Sequence, residues 1–337
     1  MTIKDVAKLC GVSVSTVSRV LNDRPDVSEQ VREQVLRTVR EINFVPNNSA
    51  RRLVMTSSDS VGLVVRGVSN PFYSDIIKAI GRKAEEAGMT LVMQQIHTDE
   101  DEIETGAIME REKRLRGLIF LGGRSDYMEE KVRLITVPFV CCSYTNSFGS
   151  LEPESYSSVS IEDELAARRA VNELANLGHR RIACLVAHTH DRSISELRYR
   201  GYVKALEDNG IEPDESLVVS AGSFDMADAY RATVQLVKSG ADFTAMFIIA
   251  DAMAIAAIKA LYDCGKSVPR DCSVIAIDGL QFSEYTQPTL TTLCQPTTRM
   301  GEESVKLLRD VLEGRSGHRH VVLEPVLRHG ASVAPAP

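Results

Sequence analysis

The sequence predicts an all-α N-terminal head carrying a helix-turn-helix, followed by a two-lobed α/β body of doubly wound parallel sheets. Three observations predict this. The chain has 337 residues, more than the ~100–200 of a usual domain. The first 45 or so residues carry apolar positions at helical spacing, interrupted by capping and turn residues. From residue 60 onward, short β-rich apolar runs alternate with amphipathic stretches.

In the head, Thr2 caps a first helix whose Ile3, Val6 and Ala7 share a face, and Gly11 ends it in a conformation suited to a left-handed turn. Ser13 caps a second helix with Val17, Val20 and Leu21 inward. Asn22-Asp23-Arg24-Pro25 breaks it, and Ser28 caps a third in which Val31, Val35, Val39 and Ile42 recur at helical spacing. Helix, glycine turn and short helix make a helix-turn-helix. The stretch PNNSARRLVMTSSDS that follows is polar, with a basic centre. Its one or two helical turns, 48–55, are too short to be stable alone.

In the body the apolar runs are VGLVV from Val61, TLVMQQ from Thr90, GLIFLG from Gly117, PFVCCS from Pro138, IACLVA from Ile182, SLVVSA from Ser216, AMFIIA from Ala245 and SVIAID from Ser273. Amphipathic helices such as 73–87 and 164–177 separate them. Runs of this kind indicate parallel strands covered on both faces, and so many over one body fit two doubly wound units.

Charge is uneven. The net charge is −7, yet nine bases and six acids in residues 1–57 leave that segment at +3 and the remainder at −10. A basic head on an acidic body suits a head that meets a polyanion. With 44% hydrophobic and 25% charged residues, the composition is globular, and no apolar run approaches the ~18 residues of a membrane span. MTIKDVAKLC lacks a signal-peptide pattern, so a cytoplasmic protein is expected. The seven cysteines are odd in number and form no CxxC pair, which fits buried thiols, Cys141 and Cys142 included. His188, His190 and Asp191 have no second cluster to complete a metal site. No Walker A, GxSxG or HExxH signature is present. Neither a cofactor, a metal nor a catalytic residue is expected.

The stretch TIKDVAKLCGVSVSTVSRVLND resembles the DNA-binding head of the LacI/GalR family of bacterial transcription regulators. Asp5-Val6-Ala7, Gly11-Val12-Ser13 and Thr16-Val17-Ser18-Arg19-Val20-Leu21-Asn22 match, with Cys10 in place of a small alanine. The resemblance continues through Val45-Pro46-Asn47, Ala50-Arg51-x-Leu53, Asn70-Pro71-Phe72-Tyr73, Gly178-His179-Arg180-Arg181, Arg200-Gly201-Tyr202 and Pro288-x-Leu290-Thr291-Thr292. It implies a DNA-binding domain at 1–46, a hinge helix at 47–59 and an effector-binding and dimerisation body at 60–330. Within that body it implies a first lobe of about 60–157 plus 289–320 and a second of about 158–288 plus 321–330, with a tail at 331–337.

The resemblance also implies roles. The helix begun by Ser13 enters the major groove. Val14 and Ser15 face base edges, and Arg19 can donate two hydrogen bonds to guanine. Thr16, Ser18 and Asn22 are phosphate contacts, and the caps Ser13 and Ser28 suit phosphate as well. In the hinge, next to Asn47 and Ala50, Leu53 stands where the family wedges a leucine into the minor groove, flanked by Arg51 and Arg52. Docking of Leu53 on the body is the alternative.

The implied body resembles sugar-binding proteins with a cleft at the strand ends, which makes Phe72, Tyr73, Ser143, Tyr144, Arg192, Arg198, Phe224, Asp251 and Asp278 the effector candidates. Arg198 matches a ligand-clamping arginine. Phe72 and Phe224 also suit a core, Asp251 and Asp278 also suit helix caps, and Arg192 also suits the surface. Ala250 replaces a frequent asparagine, and Ser143 a frequently charged residue. The implied protein is a cytoplasmic homodimeric repressor on a pseudo-palindromic operator, responding to a sugar or sugar derivative. The alternatives are a nucleobase or phosphorylated metabolite as effector, or a sugar-binding protein or enzyme with no DNA role.

Overall fold

The computed structural model describes residues 2–21, 26–42, 59–67 and 70–337. The chain forms two compact units, Met1–Ser58 and Asp59–Pro337. In the first, α1 (Ile3–Cys10), α2 (Val14–Leu21) and α3 (Glu29–Glu41) surround a core of Val6, Ala7, Cys10, Val17, Val20 and Val35. Val31 is only half-buried at its edge. The Thr2 backbone N–H and hydroxyl both donate to Asp5 Oδ2, at 2.7 and 2.9 Å, which starts α1. Gly11 ends it at φ +64°, where a side chain would be strained. Ser13 Oγ accepts the Thr16 N–H at 3.1 Å and starts α2.

The second unit holds two six-stranded sheets. The first contains β1 (Ser60–Arg66), β2 (Thr90–Ile96), β3 (Leu118–Leu121), β4 (Phe139–Cys142), β5 (Ser157–Ser160) and β11 (His320–Val322), in the order β11-β5-β4-β3-β1-β2. The second contains β6 (Ile182–Val186), β7 (Val218–Ser220), β8 (Ala245–Ile248), β9 (Ser273–Asp278), β10 (Thr291–Cys294) and β12 (Val326–Arg328), in the order β12-β10-β9-β8-β6-β7. Every described pairing is parallel except β10 with β12. The helices α4 (Tyr73–Glu86), α5 (Glu102–Lys113), the short α6 (Glu129–Val132) and α11 (Thr297–Leu312) serve the first sheet. The second is served by α7 (Asp163–Asn176), α8 (Ile194–Asp208), α9 (Met226–Lys238) and α10 (Asp251–Asp263).

The expected lobe limits need correction. The chain passes from the first lobe to the second after β5, back after β10, and across again after β11. Residues 158–160 and 321–322 therefore belong to the first lobe, and 291–294 to the second. The error has a physical source: β5 (SSVS) and β10 (TTLC) are strands of small polar residues. Ser157 and Ser158 are buried because their hydroxyls meet His318 Nδ1 (3.0 Å) and His320 Nδ1 (2.8 Å). Nor is 331–337 a loose tail. Buried Ser332 donates through Oγ to Val274 O (2.6 Å) and accepts from Thr291 N (2.8 Å).

His179 ties the same segment down. Its Nε2 lies 3.0 Å from Ala334 O and its Nδ1 2.8 Å from the Thr244 hydroxyl. A carbonyl needs a donor, so Nε2 carries the proton and Nδ1 accepts, which is the neutral ring. Burial holds its pKa below the usual 6.5. Below pH 6.5 the unfolded chain takes up a proton that folded His179 resists, so stability falls with acidification. Thermal melts across pH 5–8 are expected to show this slope in the wild type and a flatter one in His179→Gln.

Candidate nucleic-acid interface and effector cleft

On α2 the residues predicted to face DNA stand outward. Ser13, Val14, Ser15 and Arg19 are exposed, and Thr16 and Ser18 are half-buried, while Val17 and Val20 turn into the core. The Ser13 hydroxyl also meets those of Ser15 (2.7 Å) and Thr16 (2.8 Å). Ser28 is exposed at the start of α3, and its hydroxyl makes no cap hydrogen bond, so the expected side-chain cap is absent there. Arg19 pairs with Asp26 at 3.4 Å, both more than half exposed. Asn22, Asn47, Ala50, Arg51 and Leu53 lie outside the described residues.

In the body, the centre of the candidate cleft is Arg198, on α8 and 4% exposed. Its Nε donates to Asp163 Oδ1 (2.8 Å), and its Nη1 donates to Ile249 O and reaches Asp278 Oδ1 at 3.4 Å. Asp278 also accepts from Gln295 Nε2 at 2.9 Å. Burial pushes Asp278 up to about 7, against the pull of Arg198, and it raises Asp163 as well. Burial opposes the Arg198 charge too, yet Asp163 and Asp278 hold its pKa above the usual range.

Tyr73, from the first lobe, meets this group. Burial raises its phenol to about 12, and the charges of Asp278, Arg66 and Arg198 act on it. Its ring rests on Gly122 (φ +67°), where any Cβ would collide with the phenol. Ser143 follows β4 at φ +71°, and its buried hydroxyl has no hydrogen-bond partner of adequate geometry. Four described non-glycine residues have positive φ, and Ser143, Arg192 and Asp278 are three of them. Strain at strand ends marks functional sites.

Tyr73, Ser143, Arg198 and Asp278 thus come together. Exposed Arg192 stands at the rim, acting electrostatically on Asp126 of the first lobe. Four candidates belong elsewhere. Phe72 packs in the first-lobe core. Tyr144 is buried, its hydroxyl 2.8 Å from that of Tyr127. Phe224 is half-buried against the second-lobe core. Asp251 is fully buried: Oδ2 accepts from Gly279 N (3.1 Å), Leu280 N (2.8 Å) and Ser283 Oγ (3.1 Å), and Oδ1 accepts from Thr292 Oγ1. It fastens the turn after β9 and does not cap its own helix, whose N-cap is Ala250.

The sequence reading missed Asp163 and Gln295, which sit at the crossovers, and two further ion pairs at the first-lobe strand ends. These are Arg66 with Glu102 (3.3 Å) and Arg124 with Asp126 (2.8 Å). His188, His190 and Asp191 belong to no group that could hold a metal, and no such group exists among the described residues.

Residues 2–47 match the family described as bacterial regulatory proteins, lacI family, and residues 171–333 match a periplasmic binding protein-like domain. The HTH-type transcriptional regulator MalR of Clostridium butyricum is 40% identical over 329 residues, covering 97% of each chain. The ribose operon repressor of Escherichia coli K12 is 30% identical, covering 98% of this chain and 99% of that one. Among solved structures, a complex of the transcriptional regulator CelR with cellobiose is 30% identical, with a TM-score of 0.73 and coverage of 98% and 99%. A lac repressor dimer bound to operator is 26% identical, with a TM-score of 0.79 and coverage of 99% of both chains.

Asp251→Ala takes the acceptor from the buried Gly279 and Leu280 N–H groups. An unsatisfied buried donor costs about 1–3 kcal/mol, and denaturant titration is expected to show at least that loss with the two sheets retained.

Proposed function

The chain belongs to the lacI family of bacterial regulatory proteins and is a DNA-binding transcriptional regulator under small-molecule control, not an enzyme; we propose that it acts as a cytoplasmic homodimeric repressor whose effector is a neutral sugar. No helix among the described residues is long and apolar enough to cross a membrane.

The α2 face supports the operator reading. Exposed Ser13, Val14, Ser15 and Arg19 form a helix edge that fits a major groove. The Arg19–Asp26 pair is solvated and worth little, so Arg19 exchanges it for a guanine edge at small cost. A two-fold dimer reads two half-sites. Exposed Phe282, Tyr285 and Val326 supply apolar surface for association around the link from Arg328 of β12 to Leu280, Ser283 and Glu284. The solved lac repressor relative is a dimer on its operator.

One observation carries the effector reading. Arg66, Arg124 and Arg198 each face a carboxylate at 2.8–3.4 Å. A phosphorylated metabolite needs uncompensated donors, whereas a neutral polyol exchanges hydrogen bonds with both members of each pair. The CelR relative holds cellobiose, which favours a sugar over a nucleobase.

The test uses full-length protein. A thermal-shift screen against neutral sugars, nucleobases and sugar phosphates is expected to give a neutral sugar as the hit, since a native-state ligand stabilises. Gel-shift titration with operator DNA is expected to weaken steeply with salt. Arg19→Ala is expected to cost ~1–3 kcal/mol of operator affinity, roughly 5- to 150-fold, with non-specific binding nearly unchanged. Leu53→Ala is expected to weaken operator binding and leave sugar affinity intact.

A further inference from the structure

Glu102 does more at the first-lobe strand ends than neutralise Arg66. It opens α5 and is 1% exposed. Its Oε1 accepts from the backbone N–H of Arg124 (2.7 Å) and from the Tyr127 hydroxyl (2.5 Å). Its Oε2 lies 3.3 Å from Arg66 Nε yet receives no hydrogen bond among the described residues. Arg66 directs Nε to Glu100 O at 3.3 Å and Nη2 to Thr98 O. Among the described residues the buried Ser125 hydroxyl has no hydrogen-bond partner, and the buried Ser143 hydroxyl lies beside the Tyr73 phenol without a well-formed bond. The loop after β3 joins the cluster: Gly122 underlies Tyr73, and Gly123 lies against the Tyr127 and Tyr144 hydroxyls. A carboxylate oxygen out of water, charge-compensated but without a donor, is costly. It is half of an interaction whose other half is a donor, and strand ends are where this fold takes its ligands.

We propose that Glu102 is a specificity-determining residue of the cleft, its buried Oε2, which has no hydrogen-bond donor among the described residues, accepting a hydrogen bond from one hydroxyl of a neutral sugar. This rests on the neutral-sugar reading above. Arg66 supplies the compensating charge, and the Ser125 and Ser143 hydroxyls complete the first-lobe half of the site. A ligand with a hydroxyl at that point is accepted. One lacking it leaves the carboxylate unpaired and is rejected far more strongly than the loss of an apolar contact would imply.

The experiment is calorimetric titration of full-length wild type and Glu102→Gln with cellobiose, maltose and ribose, with the monodeoxy derivatives of whichever binds, and with glucose 6-phosphate. For the sugar that binds wild type, Glu102→Gln is expected to weaken affinity about tenfold or more, with operator binding in the absence of sugar unchanged. One monodeoxy sugar is expected to lose a similar factor on wild type and little further on the variant. Glu102→Asp, which keeps the charge, and the monodeoxy series on wild type carry the test if the Gln variant does not fold. Equal binding of the sugar by Glu102→Gln, or uniform tolerance of every deoxy position by wild type, overturns the proposal. If only glucose 6-phosphate binds, or nothing does, the neutral-sugar reading has failed and the subsite falls with it.

Discussion

The buried guanidinium of Arg198, held between Asp163 and Asp278, is the interaction on which the body depends. A charge at that depth is tolerated only while its partners stay in place, and breaking a buried ion pair costs about 3–5 kcal/mol. The three residues come from different parts of the second lobe. Asp163 starts α7 just after the first crossover, Arg198 lies within α8, and Asp278 ends β9. This group therefore sets where two helices and a strand end stand relative to each other, and Tyr73 of the first lobe is placed within reach of the same charges.

The position of this group explains how a small molecule acts at a distance. Asp163 follows the first crossover, and Gln295, which donates to Asp278, follows β10 at the second. The third crossover follows β11, which is held to β5 by the Ser157–His318 and Ser158–His320 contacts. On the proposed reading, a ligand hydroxyl that takes over part of Asp278 or Arg198 would alter the bonds that fix the first two crossovers. Coupling between sites is typically ~1–3 kcal/mol, the scale of one or two such hydrogen bonds.

Much of this was legible in the chain, for reasons that also mark where legibility ends. The eight apolar runs each contain a strand, and in β1, β3, β4, β6, β8 and β9 the run reflects the burial that a doubly covered parallel sheet demands, whereas β2 and β7 stand at sheet edges and are less buried. Tyr73, Ser143, Arg198 and Asp278 were legible because they follow such runs or match a family motif. β5 and β10 were not: their serines and threonines form no continuous apolar run, and it is backbone pairing with β4, β11, β9 and β12, with side-chain partners at His318, His320, Asp251 and Ser332, that places them in the sheets. With them went the crossovers, and so Asp163 and Gln295. Asp251 and Asp278 look alike in sequence, each an aspartate after a buried strand. What separates them is the turn at 279–283 folding back onto Asp251, a tertiary event. Glu102 sits in the run TDEDEIE, where nothing local distinguishes a buried acceptor from solvated acids.

On the proposed reading, a cleft lined by balanced ion pairs instead of apolar side chains suits what a regulator must do. An apolar lining shuts by burial, and a ligand must then overcome the whole area-dependent free energy. A lining of paired charges and hydroxyls is satisfied by itself and satisfied again by a polyol, because each protein–protein hydrogen bond is exchanged for a protein–ligand one. The two states then lie close in free energy, and a ligand shifts their populations by its differential contacts alone. Specificity in such a site comes from the groups that are left unsatisfied without the ligand. Among the described residues, three oxygens are buried without a hydrogen bond, Glu102 Oε2 and the Ser125 and Ser143 hydroxyls, all in the first lobe. On the proposed reading, the paired second-lobe group serves as the switch and the first-lobe oxygens left without a hydrogen bond choose the ligand.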